Sequence, residues 1–129
     1  MDQMTPDERN FSIPSGLSRR AVVDLGSNSV RLVIYEGDAR NPVQIFNEKA
    51  VLRLARGLTK SGRLDEDAMS QAETVLSRYA AIVRAMGASP FEVLATSAVR
   101  DAENGPLFVK RMTKLLPDMH ISVLSGAQE

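Results

Sequence analysis

A chain of 129 residues is long enough for one domain with a real core and too short for two comfortable ones. Its apolar fraction of 43% is ordinary for a globular protein, and 16 basic residues balance 16 acidic ones, so no overall charge draws it to nucleic acid or membrane. It has no cysteine, which excludes disulfides, thiolate metal sites and a cysteine nucleophile together.

Met1 to Arg20 is polar and lacks the apolar centre of a signal peptide, so it reads as the flexible tail of a cytoplasmic protein. No later stretch approaches the roughly 18 apolar residues of a membrane span. Ala21 to Leu25 is a short apolar run that stops at Gly26, as a buried strand would. Gly26-Ser27-Asn28 is turn chemistry, and a second β-rich run follows from Ser29 to Tyr35. Gly37, Asp38, Asn41 and Pro42 mark a reversal into a third strand near Val43. Three strands on short links predict an antiparallel meander.

The period then changes from two to between three and four. Ala68, Met69, Ala72, Val75, Leu76, Tyr79, Ile82, Val83 and Met86 line one face of a long helix. Asp65 is placed as its N-cap, with Leu64 and Met69 as a hydrophobic staple across it, and Gly87 stands where a terminating glycine belongs. Phe91 to Thr96 reads as a strand. A second helix is predicted from near Asn104 to before Pro117, with Phe108, Met112 and Leu115 as its inner face. Ile121 to Leu124 reads as the last strand. The order β-β-β-α-β-α-β makes the later strands parallel, so the expected fold is α/β, a mixed sheet with packed helices.

Four segments could carry chemistry. In Asp24-Leu25-Gly26-Ser27-Asn28-Ser29 a strand delivers a carboxylate and a polar turn follows. Gly26 removes a side chain where a phosphate would approach, the amides of Ser27, Asn28 and Ser29 can face it, and Asp24 offers hard oxygens for magnesium. An ordinary hairpin turn would look the same. In Ala95-Thr96-Ser97-Ala98-Val99-Arg100-Asp101, small hydroxylated residues such as Ser97 close a strand, and Arg100 presents a fork matched to phosphate oxygens. The competing reading is a surface arginine paired with Asp101 or Glu103. In Leu124-Ser125-Gly126-Ala127-Gln128-Glu129, Glu129 could serve as a general base, or be a helix-starting acid. Finally Arg53, Arg56, Lys60 and Arg63 form a basic loop that either guides a polyanion or is merely solvated. His120, the single histidine, has no triad partners, and neither a G-x-S-x-G elbow nor a G-x-x-x-x-G-K-[ST] loop is present.

Together the segments Ala-Val-Val-Asp-Leu-Gly-Ser-Asn-Ser-Val-Arg-Leu, Leu-Ala-Arg-Gly-Leu, Ala-Thr-Ser-Ala-Val-Arg-Asp-Ala-Glu-Asn and Ile-Ser-Val-Leu-Ser-Gly-Ala-Gln-Glu resemble the exopolyphosphatase/guanosine pentaphosphate phosphatase family, from about Ala21 to Glu129. The resemblance implies a ribonuclease-H-like sheet, the first lobe of the superfamily of actin, sugar kinases and heat-shock chaperones. It implies a phosphate loop at Asp24 and Gly26 to Ser29, an arginine facing the phosphates at Arg100, and a water-activating base at Glu129. At Gln128 the family pattern has glutamate. The implied reaction is magnesium-assisted removal of terminal phosphate from inorganic polyphosphate or guanosine pentaphosphate, with no nucleic-acid or membrane partner.

The family's second glycine-rich loop and second lobe are absent from these residues. The chain is therefore expected to be a partial first lobe with little or no turnover, and an exposed half-built interface could pair two copies. An ATP-using kinase or actin-like relative, and a non-catalytic sensor of a phosphorylated nucleotide, remain as alternative readings.

Overall fold

The computed structural model describes residues 18–38 and 40–125. The meander is present: β1 (Arg19–Leu25), β2 (Ser29–Glu36) and β3 (Val43–Val51) pair antiparallel in sequence. Helix α1 (Leu58–Ser61) and the long α2 (Glu66–Ala85) lead to β4 (Phe91–Ala95). Short α3 (Ser97–Asp101) and α4 (Gly105–Leu115) lead to β5 (His120–Val123). Strand β4 joins β1 in parallel and β5 joins β4 in parallel, giving the order β3-β2-β1-β4-β5.

Strand alternation divides the sheet into a packed face and an open one. Ala21, Val23, Leu25, Val30, Leu32, Ile34, Phe91, Val93 and Ala95 are buried in one core with the helices. Their neighbours Val22, Val33, Tyr35 and Leu94 lie on the opposite face and are only partly covered. Strand β1 begins at Arg19, two residues before the apolar run. Its charged start is offset across the ladder, because Arg19 pairs with Glu36 at 2.9 Å and Arg20 lies 5.9 Å from the Tyr35 ring centroid.

Helix α2 follows its apolar period closely. Asp65 accepts a hydrogen bond from the Ala68 amide at 2.9 Å, and Gly87 adopts φ 65 just past the end. Ala68, Met69, Ala72, Leu76, Tyr79, Ala80 and Val83 are buried, with Val75, Ile82 and Met86 at the margin. The Tyr79 hydroxyl donates to the Glu48 carbonyl at 3.2 Å, and burial pushes its pKa up. The preceding residue, Arg78, forks onto the Glu48 carboxylate at 3.0 and 2.8 Å, which holds that carboxyl below its ordinary value.

In α4 the inner face differs from expectation. Phe108 and Met112 are buried, but Leu115 is 47% exposed and Leu116 takes the inner place. The cause is spacing, since 108, 112 and 116 advance by four and stay on one stripe. The loop before α2 is pinned by Asn104, the buried polar residue at the start of α4. Its side-chain oxygen accepts from the Leu64 amide at 2.7 Å, and its nitrogen donates to the Leu64 carbonyl at 3.3 Å. Asn104→Leu strands both main-chain groups and is expected to cost about 2 kcal/mol. Arg63→Gln, which removes the exposed 3.2 Å pair with Glu103, is expected to cost less than about 1 kcal/mol. Urea denaturation of the two variants checks the contrast; equal losses would mean that Asn104 carries no special burden.

Candidate functional site

Strands β1, β4 and β5 are parallel neighbours, so the segments following them emerge at the same end of the sheet. Main-chain bonds knit these segments together. The Gly26 amide donates to the Ser29 carbonyl at 2.9 Å, closing the first turn. The Thr96 amide and hydroxyl both donate to the Leu25 carbonyl, at 3.1 and 3.3 Å. The Leu124 amide donates to the Ala95 carbonyl at 2.9 Å. Topology has thus brought three separated polar segments side by side.

The turn itself is polarised. The Asn28 carbonyl accepts from the Leu52 and Arg53 amides at 2.9 and 3.2 Å, and the Ser27 carbonyl accepts from the Ala55 amide at 3.0 Å. The amides of Ser27 and Asn28 donate to no described residue. Acceptors are therefore consumed inward while two donors remain for an anion. Ser29 opens β2 opposite Val51. Gly26 is not required by backbone conformation. A Cβ there would sit 3.5 Å from the Ser29 carbonyl and 3.9 Å from the Thr96 hydroxyl, in ordinary contact. What the glycine supplies is clearance beside the turn.

Asp24 is exposed on the open face, and its carboxylate bonds to no described residue. It borders a groove of about 500 Å³ whose walls include Val22, Gly26, Arg31, Tyr35, Thr96 and Leu124. Arg31 stands directly opposite Asp24 in the β1–β2 ladder and donates to the Asn47 side chain. Sequence reasoning missed Arg31, because on a strand its only signal is alternation. Its register against Asp24 is what gives it meaning.

Ser97 and Arg100 belong to α3, one short helix immediately after β4. Arg100 does form the pair with Asp101 that the competing reading named, with Nε to Oδ1 at 3.0 Å. It also reaches across to the Leu124 carbonyl at 3.3 Å. The guanidinium therefore spans the ends of β4 and β5, tethered by a neighbouring carboxylate. Glu129, with Gly126 to Gln128, lies outside the described residues. Among the described residues no group of three or more His, Cys, Asp or Glu could hold a metal. His120 is exposed opposite Glu92.

Arg53, Arg56 and Lys60 are exposed, whereas Arg63 is tied to Glu103. A second cavity, of about 400 Å³, lies at the far end of the sheet between the last turns of α2 and α4, away from every segment above. Among the described residues no helix is long and apolar enough to cross a membrane.

A meander, two helical crossovers and polar segments gathered at parallel strand ends define a ribonuclease-H-like α/β lobe. The model of the Ppx/GppA phosphatase family matches residues 33–129, and the chain belongs to that family. It is 32% identical over 121 residues to Exopolyphosphatase 2 of Mycobacterium tuberculosis, covering 88% of the chain and 38% of that relative. It is 34% identical over 109 residues to the guanosine-5'-triphosphate,3'-diphosphate pyrophosphatase of Pseudoalteromonas atlantica, covering 84% of the chain and 22% of the relative. The Aquifex aeolicus member of the Ppx/GppA family superposes with a TM-score of 0.82 at 27% identity, over 87% of this chain and 36% of that one. The chain thus spans well under half the length of these relatives.

Proposed function

We propose that this chain supplies the phosphate-gripping half of a phosphoanhydride hydrolase that removes terminal phosphate from inorganic polyphosphate or guanosine pentaphosphate. The observation that carries the reading is the polarised turn, with the Ser27 and Asn28 amides left as donors and the Asp24 carboxylate bonded to no described residue. Membership of the Ppx/GppA family and the relatives named above support the same chemistry.

In this reading Gly26 to Ser29 and Ser97 cradle the terminal phosphoryl group. Arg100 neutralises charge on its oxygens as the bridging P–O bond loosens. Glu129 accepts a proton from water, whose oxygen forms the new bond to phosphorus while the remaining phosphate chain departs. A single carboxylate suits magnesium, which commonly takes one or two protein oxygens and completes its shell with phosphate and water. Asp24 would hold the ion, which when bound supplies further charge neutralisation at the phosphoryl oxygens.

The test joins this chain to the remainder of the Mycobacterium tuberculosis relative, in place of the matching first segment. The chimera is expected to release phosphate from polyphosphate or guanosine pentaphosphate, and Glu129→Gln to slow it by about a hundredfold. The chain by itself is expected to bind polyphosphate with little or no release. A folded chimera that binds these compounds yet never hydrolyses them would instead support the sensor reading.

A further inference from the structure

The basic loop after β3 is not absorbed by the site just described. Between Leu52 and Leu64 the chain carries Arg53, Arg56, Lys60 and Arg63 and not one acidic residue, although the whole chain is balanced at 16 of each sign. A neutral protein has therefore concentrated cations in one short segment. The segment also has a fixed position. Buried Leu52 and Leu54 anchor it in the core. Three main-chain bonds hold it against the carbonyls of Ser27 and Asn28, in the same turn whose amides donate to no described residue.

Arg19, Arg63, Arg78, Arg100 and Arg111 each have a carboxylate partner. Arg53, Arg56 and Lys60 are exposed and pair with no described residue. Arg53 even occupies the left-handed region, φ 57, where asparagine or glycine would be more comfortable. Cations that keep their charge uncompensated beside an anion-binding turn lower the energy of any anion extending beyond it.

We propose that Arg53, Arg56 and Lys60 form a docking track for the distal phosphates of a long inorganic polyphosphate chain whose end lies in the Gly26–Ser29 turn. This deepens the proposed function and rests on it, since the track has meaning only if that turn grips the terminal phosphate. The choice of ligand comes from what the segment contains. It has no aromatic residue from Leu52 to Leu64 on which a base could stack, so single-stranded nucleic acid and the guanine of a pentaphosphate nucleotide find no platform. A flexible polyanion without bases needs only spaced charges.

The test titrates the 129-residue chain with tripolyphosphate, long-chain polyphosphate and guanosine pentaphosphate over a range of salt concentrations. Long-chain polyphosphate is expected to bind most tightly. Arg53→Asn combined with Arg56→Gln keeps a residue tolerant of the left-handed conformation and is expected to weaken long-chain binding on the order of tenfold. It should flatten the salt slope by about one unit per lost cation. Tripolyphosphate binding should not change, which also reports an intact fold. The control removes equal charge elsewhere by Arg40→Gln with Arg84→Gln and is expected to leave all three ligands unaffected.

A loss equal to the control's, an equal loss for tripolyphosphate, or tighter binding of the nucleotide than of the long chain would each overturn the track. Tripolyphosphate binding that survives such a result leaves the phosphate turn standing. Absence of binding by every phosphate compound removes both proposals together.

Discussion

Gly105→Ala is expected to destabilise the chain by about 3 kcal/mol or more, the upper range for overpacking a tight contact. For a chain of this size that lowers Tm by roughly 10 °C. A Cβ at Gly105 would stand 2.0 Å from the Val99 carbonyl oxygen and 3.1 Å from its carbon. Both are main-chain atoms, so no side chain can rotate away. Relief requires α4 to separate from α3, the helix that carries Arg100. Gly62→Ala is the comparison. Gly62 has φ 72 but nothing within 4 Å of the added carbon, so only the left-handed backbone penalty of about 1 kcal/mol applies. Thermal denaturation followed by circular dichroism checks both. Similar small losses would show that α3 and α4 are not locked at Gly105.

Arg100→Met is expected to lower kcat for phosphate release in the chimera by about a thousandfold, the scale on which arginine stabilises phosphoryl transfer. KM should change far less, because the interaction strengthens as charge develops. Arg100→Lys should recover little, since an ammonium cannot span Asp101 and the Leu124 carbonyl while also facing phosphate oxygens. If Arg100 merely ties β5 to α3, the picture inverts. Arg100→Met would then lower Tm while kcat of the folded chimera stayed near its starting value.

Much of the architecture was legible because it rests on repetition. The meander was announced by apolar runs between Gly26 and Pro42, and α2 by a period sustained from Ala68 to Met86. Helices α1 and α3 were missed because four or five residues do not complete enough turns to display a period. Strand β1 started early because Arg19 and Arg20 are satisfied by partners on β2, which lie 15 or more residues away in sequence. Leu115 and Leu116 differ by one step of the helix, too little for periodicity to separate.

The site was legible as segments and not as an arrangement. Asp24, Ser27, Asn28 and Arg100 could be singled out from residue type and position. Parallel pairing of β1, β4 and β5 then set their segments next to one another. Arg31 and Asn104 escaped notice for a shared reason. Arg31 is placed opposite Asp24 only by ladder register, and Asn104 meets Leu64 only across 40 residues of sequence.

The bonds between the β1–β2 turn and the Leu52–Ala55 stretch use only backbone atoms. Amino-acid exchanges at positions 53 and 56 therefore leave that junction's hydrogen bonding untouched. On the proposed reading, cations can be gained or lost there, changing the affinity for long anions, without disturbing the turn proposed to hold the final phosphate. On that reading, preference for long anions and the grip on a terminal phosphate can vary separately within one small lobe.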